Sequence, residues 1–157
     1  MLIIGVGNEL RADDGVGRAV AEALATDARL AGVRTRSVRQ LTPELAVDVA
    51  AASLVVFVDA DIRLAPGRIA VGPIGDARPG SFSHHVTPAA LVELARLLDG
   101  GVADAITVRI GVESLDLGYP RTAAAERGLR RAVEVIAAMV ADRGAQRRDE
   151  ASCTRSR

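Results

Sequence analysis

The chain has 157 residues, close to the usual size of one domain, which argues against a two-domain enzyme carrying its own lid. Hydrophobic residues make up 49% of it, enough to fill one core without disulfides or structural zinc. Twenty basic side chains balance twenty acidic ones, so the charge points neither to nucleic acid nor to an anionic membrane as a partner. All twenty basic residues are arginine; the lack of lysine excludes Schiff-base catalysis, pyridoxal phosphate anchoring and the P-loop. An aromatic content of 2% leaves almost no stacking platform for single-stranded nucleic acid. The single cysteine, Cys153, lies in a polar stretch near the end and can build neither an internal disulfide nor a cysteine-rich zinc site, so a cytoplasmic protein is expected. No signal peptide is expected ahead of the first strand, and no apolar run approaches the roughly 18 residues of a membrane span.

Residues 2–7 form a short unbroken apolar run, the pattern of a strand covered on both faces, and should be central. Val16, Val20, Ala23 and Leu24 then mark one side of a helix. Residues 33–38 alternate apolar and charged side chains, as a more exposed strand does. Thr42-Pro43-Glu44 predicts a helix start, with threonine as N-cap and proline in the first turn. Residues 54–60 are the strongest strand, β-branched, continuous and closing on the carboxylate of Asp59. Residues 63–80 are rich in proline and glycine and predict turns with one short edge strand at 68–71. Thr87-Pro88 opens a helix carrying Leu91, Leu94, Ala95 and Leu98, residues 105–111 give another strand, and Leu129, Val133, Ile136 and Val140 stripe the last helix. Residues 144–157 lack core formers and are expected to be a disordered tail behind a domain of residues 1–143.

This alternation predicts a single three-layer α/β domain, with a mostly parallel twisted sheet of about five strands and helices on both faces. In such sheets ligands bind beyond the carboxyl ends of the strands. The loop after Gly7, the end of the strand at Asp59 and the segment before Thr87 all belong to that edge.

Gly5-Val6-Gly7 ahead of a helix suggests a dinucleotide site, but the third glycine is missing and Asp13-Asp14 stand where a pyrophosphate would bind. One of these two aspartates is expected to cap the helix, which leaves the other unexplained. His84 and His85, the only histidines, precede a later helix. Two carboxylates and an imidazole meeting at one sheet edge would make a divalent-metal ligand set of mixed hardness.

The stretch Gly5-Val6-Gly7-Asn8-Glu9-Leu10-Arg11-Ala12-Asp13-Asp14-Gly15-Val16-Gly17, with Val55-Val56-Phe57-Val58-Asp59-Ala60 and Ser83-His84-His85, resembles the hydrogenase maturation proteases, which trim the large subunit of nickel-iron hydrogenases. The resemblance runs from Met1 to about Val140. It implies that Asp14, Asp59 and His85 bind metal and carry the catalysis, with His84 the rival for the last position and Asp13 outside the set. Where many members carry Asp-Gly-Gly-Thr, this chain has Arg39-Gln40-Leu41-Thr42, and residues 111–116 lack a proline often found there.

Three functions are open at this point. The resemblance implies an endopeptidase that removes the C-terminal extension of a hydrogenase large-subunit precursor after nickel insertion and reads the substrate's own nickel, acting as a monomer. The alternative is a nickel-binding docking module without catalysis. A dinucleotide-dependent oxidoreductase is disfavoured by Asp13-Asp14. Neither Gly-x-Ser-x-Gly nor His-Glu-x-x-His is present to supply a different hydrolytic centre.

Overall fold

The computed structural model describes residues 1–74, 86–99, 104–118 and 120–154. Five strands form one sheet: β1 (Leu2–Val6), β2 (Arg34–Val38), β3 (Leu54–Asp61), β4 (Ile69–Pro73) and β5 (Asp104–Gly111), in the order β2-β1-β3-β5-β4. β2, β1, β3 and β5 run parallel to one another, and β4 runs antiparallel along the outer edge of β5. The two uninterrupted apolar runs, β1 and β3, lie side by side inside the sheet, as expected of strands covered on both faces. The edge strand falls at residues 69–73 rather than 68–71. Its closing Pro73 is tolerated because an outer strand need not donate on both sides.

Side-chain alternation divides the core in two. Ile3, Leu54, Val56 and Val58 face one layer of helices, α1 (Val16–Ala25) and α4 (Ala123–Thr154). Leu2, Ile4, Val55 and Phe57 face the other, α2 (Ala46–Ala50) and α3 (Pro88–Asp99). Thr87 caps α3, its hydroxyl accepting the Ala90 N–H at 3.1 Å, as the sequence predicts. Because α3 leads into β5, which starts at the amino edge of the sheet, the capped end of α3 points to the carboxyl edge.

Four local expectations change. Thr42 makes no cap bond: its hydroxyl is engaged by the Glu44 carboxylate, and the segment opens as a 3-10 turn at Pro43–Leu45 before the five-residue α2. On α1 it is Ala21 and not Ala23 that is buried, and Leu98 on α3 is exposed. β3 extends past Asp59 to Asp61. The expected disordered tail is instead the continuation of α4, helical to Thr154. Arginine, glutamine, glutamate and alanine are good helix formers, and a helix already docked along residues 125–140 propagates at little cost. Among the described side chains, Val140 is nevertheless the last one packed against the core. A chain ending at Ala145 should therefore unfold within about 0.5 kcal/mol of the full chain while losing helical ellipticity. A clear drop in melting temperature would mean that the final turns dock on the domain.

Candidate functional site

Strand β1 has β2 on one side and β3 on the other, so the chain's direction of travel across the sheet reverses between β1 and β3. The crevice beyond their carboxyl ends is the place where this architecture binds ligands. Gly7 makes the exit from β1 with φ +144°, a conformation that L side chains rarely adopt, and its N–H bonds the Val38 carbonyl at 3.1 Å. Asn8 then organises the loop. Its side-chain oxygen accepts the Leu10 N–H at 3.1 Å, its carbonyl accepts the Arg11 N–H at 3.0 Å, and its own N–H donates to Asp14 Oδ2 at 2.9 Å.

A 3-10 turn, Ala12–Gly15, carries Asp13 and Asp14 into α1. Neither aspartate caps α1; its N-cap is Gly15, which makes no side-chain bond. The glycines serve close packing instead. A Cβ on Gly17 would stand 2.4 Å from both the Val6 and Val58 carbonyl oxygens, one on Gly5 2.1 Å from the Gly17 carbonyl, and one on Gly7 1.9 Å from the Asp14 carbonyl. Bare glycines thus let α1 rest directly on the ends of β1 and β3, which brings Asp14 to the crevice.

Asp59 comes to the same place from β3. Alternation puts it on the Val55 and Phe57 face, the side on which α3 begins. It is reachable from solvent although protein atoms crowd its carboxylate, and among the described residues its hydrogen bond is to the Ala60 N–H at 2.8 Å. The crowding is the main cause that pushes its pKa up to about 6; the Ala60 bond partly offsets it, and the negative charges of Asp14 and Asp61 add to it. Asp59 therefore senses the charge of Asp14 at this edge of the sheet. Arg109 stands opposite Asp59 in the β3–β5 register, yet its guanidinium bonds Asp61 at 2.8 Å, and Arg63 joins it there at 3.1 Å. Burial alone would raise the Asp61 carboxyl, but Arg63 and Arg109 outweigh it and hold the group below its ordinary value. The arginines are spent on the buried Asp61, and Asp59 is left without a cation among the described residues.

Asp13, three atoms along the backbone from Asp14, is fully buried and points away from this pair, into the loop between β5 and α4. His84 and His85 lie outside the described residues, and no three metal-binding side chains are grouped among those described. A cleft of about 290 Å³ beside the loop is lined by Glu9, Ala12, Glu22, Arg121 and Glu126 but by neither Asp14 nor Asp59. Its charges are largely satisfied internally: Arg121 bonds Glu126 at 2.8 Å, and Arg18 reaches Glu9 at 3.0 Å.

No family model matches the sequence, and no curated protein matches it either. Solved structures do. The [NiFe] hydrogenase maturation protease HycI from Thermococcus kodakarensis KOD1 superposes with a TM-score of 0.72 at 23% identity, over 87% of this chain and 88% of that one. The hydrogenase-maturating endopeptidase HybD from E. coli gives 0.72 at 24% identity, over 91% and 93%. The chain has the fold of the hydrogenase maturation proteases. HybD from T. kodakarensis shares this maturation-protease fold too, at a TM-score of 0.67 and 24% identity over 88% of this chain and 97% of that one.

Sequence reasoning singled out Asp14 and Asp59 as candidates and gave no part to Asp61, Arg109 or Gly17. An arginine inside an otherwise apolar strand and an aspartate two residues beyond Asp59 were the available signals for the first two.

Proposed function

We propose that this protein is an endopeptidase that removes the C-terminal extension of a nickel-iron hydrogenase large-subunit precursor once nickel has been inserted, using Asp14, Asp59 and His85 as the residues that meet the substrate's metal. The observation that carries the reading is the pair of carboxylates, Asp14 and Asp59, without a cation partner among the described residues, at the switch-point crevice of a maturation-protease fold. A carboxylate whose pKa is raised by crowding and by like charge is one that a divalent cation stabilises strongly. Arg109, opposite Asp59 in the sheet register, is committed to Asp61 together with Arg63.

The donors fit the task. Two carboxylates and one imidazole leave coordination positions open, and without thiolates the set does not hold soft metals permanently. Nickel here is the substrate's cargo, and the site completes its coordination when the precursor docks. An ion held this way polarises a carbonyl or lowers the pKa of a bound water, which is the chemistry that peptide hydrolysis requires. The reading places the protein in the cytoplasm as a monomer, with the large-subunit precursor as its partner. It assigns no nucleic acid or membrane partner, and among the described residues no helix is long and apolar enough to cross a membrane.

The test is incubation with precursor that carries nickel and with precursor that does not, followed by mass spectrometry. Shortening of the nickel-loaded form alone is expected. Tight binding without shortening would overturn the peptidase reading in favour of a docking module. His85→Ala should abolish shortening and His84→Ala should spare it; the reverse result would exchange the two histidines.

A further inference from the structure

Asp13 has no part in the proposed metal set, yet it is the most completely engaged side chain near it. Its carboxylate is fully buried and meets four donors: Thr122 N–H at 2.7 Å on Oδ1, and Thr122 Oγ1 at 2.9 Å, Glu113 N–H at 3.0 Å and Ser114 N–H at 3.4 Å on Oδ2. Three of the four are backbone amides more than 99 residues away in sequence, so the 3-10 turn is tied to a distant part of the chain through one side chain. Thr122 passes the tie onward, because its hydroxyl also accepts the Ala125 N–H at 3.2 Å within the first turn of α4. A second link runs parallel to this one, where Ala12 N–H reaches the Gly118 carbonyl at 2.8 Å and Gly118 N–H reaches that of Leu10 at 3.2 Å.

We infer that Asp13 is a positioning residue: its tie to Thr122 and to the β5–α4 loop fixes the turn on which Asp14 stands, and so fixes where the Asp14 carboxylate points. The inference rests on the proposed role of Asp14. Asp14 sits between two anchors, Asp13 on one side and the glycine-seated start of α1 on the other, and its own Oδ2 is held by the Asn8 N–H. An acceptor with two oxygens is needed at position 13 because every partner is a donor. Asparagine there would turn an N–H₂ toward either Thr122 N–H or the Glu113 and Ser114 amides, and the turn would have to shift to relieve the clash of donors.

The Asn8 amide reports Asp14's placement directly and needs neither substrate nor metal. In Asp13→Asn, hydrogen exchange at Asn8 is expected to accelerate at least tenfold more than at Val56 in the centre of β3, with processing reduced at least tenfold well below the melting temperature. Thr122→Val removes the hydroxyl bond but keeps the backbone one, and should move both readouts in the same direction by a smaller factor; it carries the test if Asp13→Asn does not fold. Thr122→Ser keeps both donors and should behave as the unmodified protein. Equal acceleration at Asn8 and Val56 would overturn the inference, since a merely structural carboxylate loosens the whole domain together. Selective loss of Asn8 protection in a protein that processes no precursor even unmodified would leave the positioning role standing and remove the proposed function instead.

Discussion

Asp59→Asn should destroy processing while making the protein more stable at neutral pH. Removing one of two carboxylates from an open site with few ligands is expected to cost at least about 100-fold in activity, at the upper end of what losing a supporting group costs a metal site. Stability moves the other way. In the folded chain the Asp59 carboxyl is pushed up to about 6, chiefly by burial, whereas the unfolded chain titrates it near 4. Between roughly pH 4 and pH 6 the native state therefore holds a proton that the unfolded chain has lost, so this group's contribution to stability falls as pH rises through that window. Above pH 6 the native protein carries the full unfavourable charge. Asparagine is neutral throughout and still accepts the Ala60 N–H. After discounting for the solvent that reaches the group, the variant should gain about 1 kcal/mol at pH 7.5, or roughly 2–4 °C, and nothing at pH 4. Thermal melts at the two pH values, without added divalent cation, measure this. A variant that melts lower than the unmodified protein at pH 7.5 would show Asp59 to be structural and would remove the reason for assigning it to the site.

The contrast between Asp59 and Asp13 explains what could be read from the sequence and what could not. Asp59 was legible because its signal is local: a β-branched run closing on a carboxylate is a strand end, and the order of elements puts that end at the carboxyl edge of a parallel sheet. The residues alone left Asp13 and Asp14 undistinguished, and only the family resemblance singled out Asp14; the helix cap expected of one of the pair is made by neither. A helix cap is the commonest use of an aspartate before a helix, and the partners that claim Asp13 instead are Glu113, Ser114 and Thr122, which no local pattern connects to it. The same limit applies to Arg109, whose pairing with Asp61 rather than the directly opposite Asp59 depends on the inter-strand register and on Arg63. The end of α4 failed for a different reason: composition shows a segment short of core formers, but helix propagation from a docked stem does not require them.

Gly17 is where fold and site share one atom's worth of space, and Gly17→Ala should disturb both. The added Cβ would lie 2.4 Å from the carbonyl oxygens of Val6 and Val58, two backbone atoms in adjacent interior strands that cannot rotate aside. Either α1 lifts from the sheet or the ends of β1 and β3 separate. Overpacking of this kind costs about 3 kcal/mol, and the better helix propensity of alanine offsets about 1 kcal/mol of it. A net loss of about 2 kcal/mol corresponds to a fall of roughly 4–8 °C in melting temperature. Because Asp14 lies three residues upstream on the same rigid entry to the helix, processing should drop further than stability alone accounts for. Gly128→Ala in α4 provides the control. Its Cβ would meet Ile110 Cγ2 at 2.5 Å, equally close, but that atom is a side-chain methyl and not strand backbone, and the other neighbour is Gly67, not the ends of β1 and β3. That variant should cost stability too, by about 1–3 kcal/mol, yet leave processing intact below its melting temperature. If the two substitutions reduce stability and processing alike, the seating of α1 on the strand ends does not set the geometry of Asp14 and Asp59.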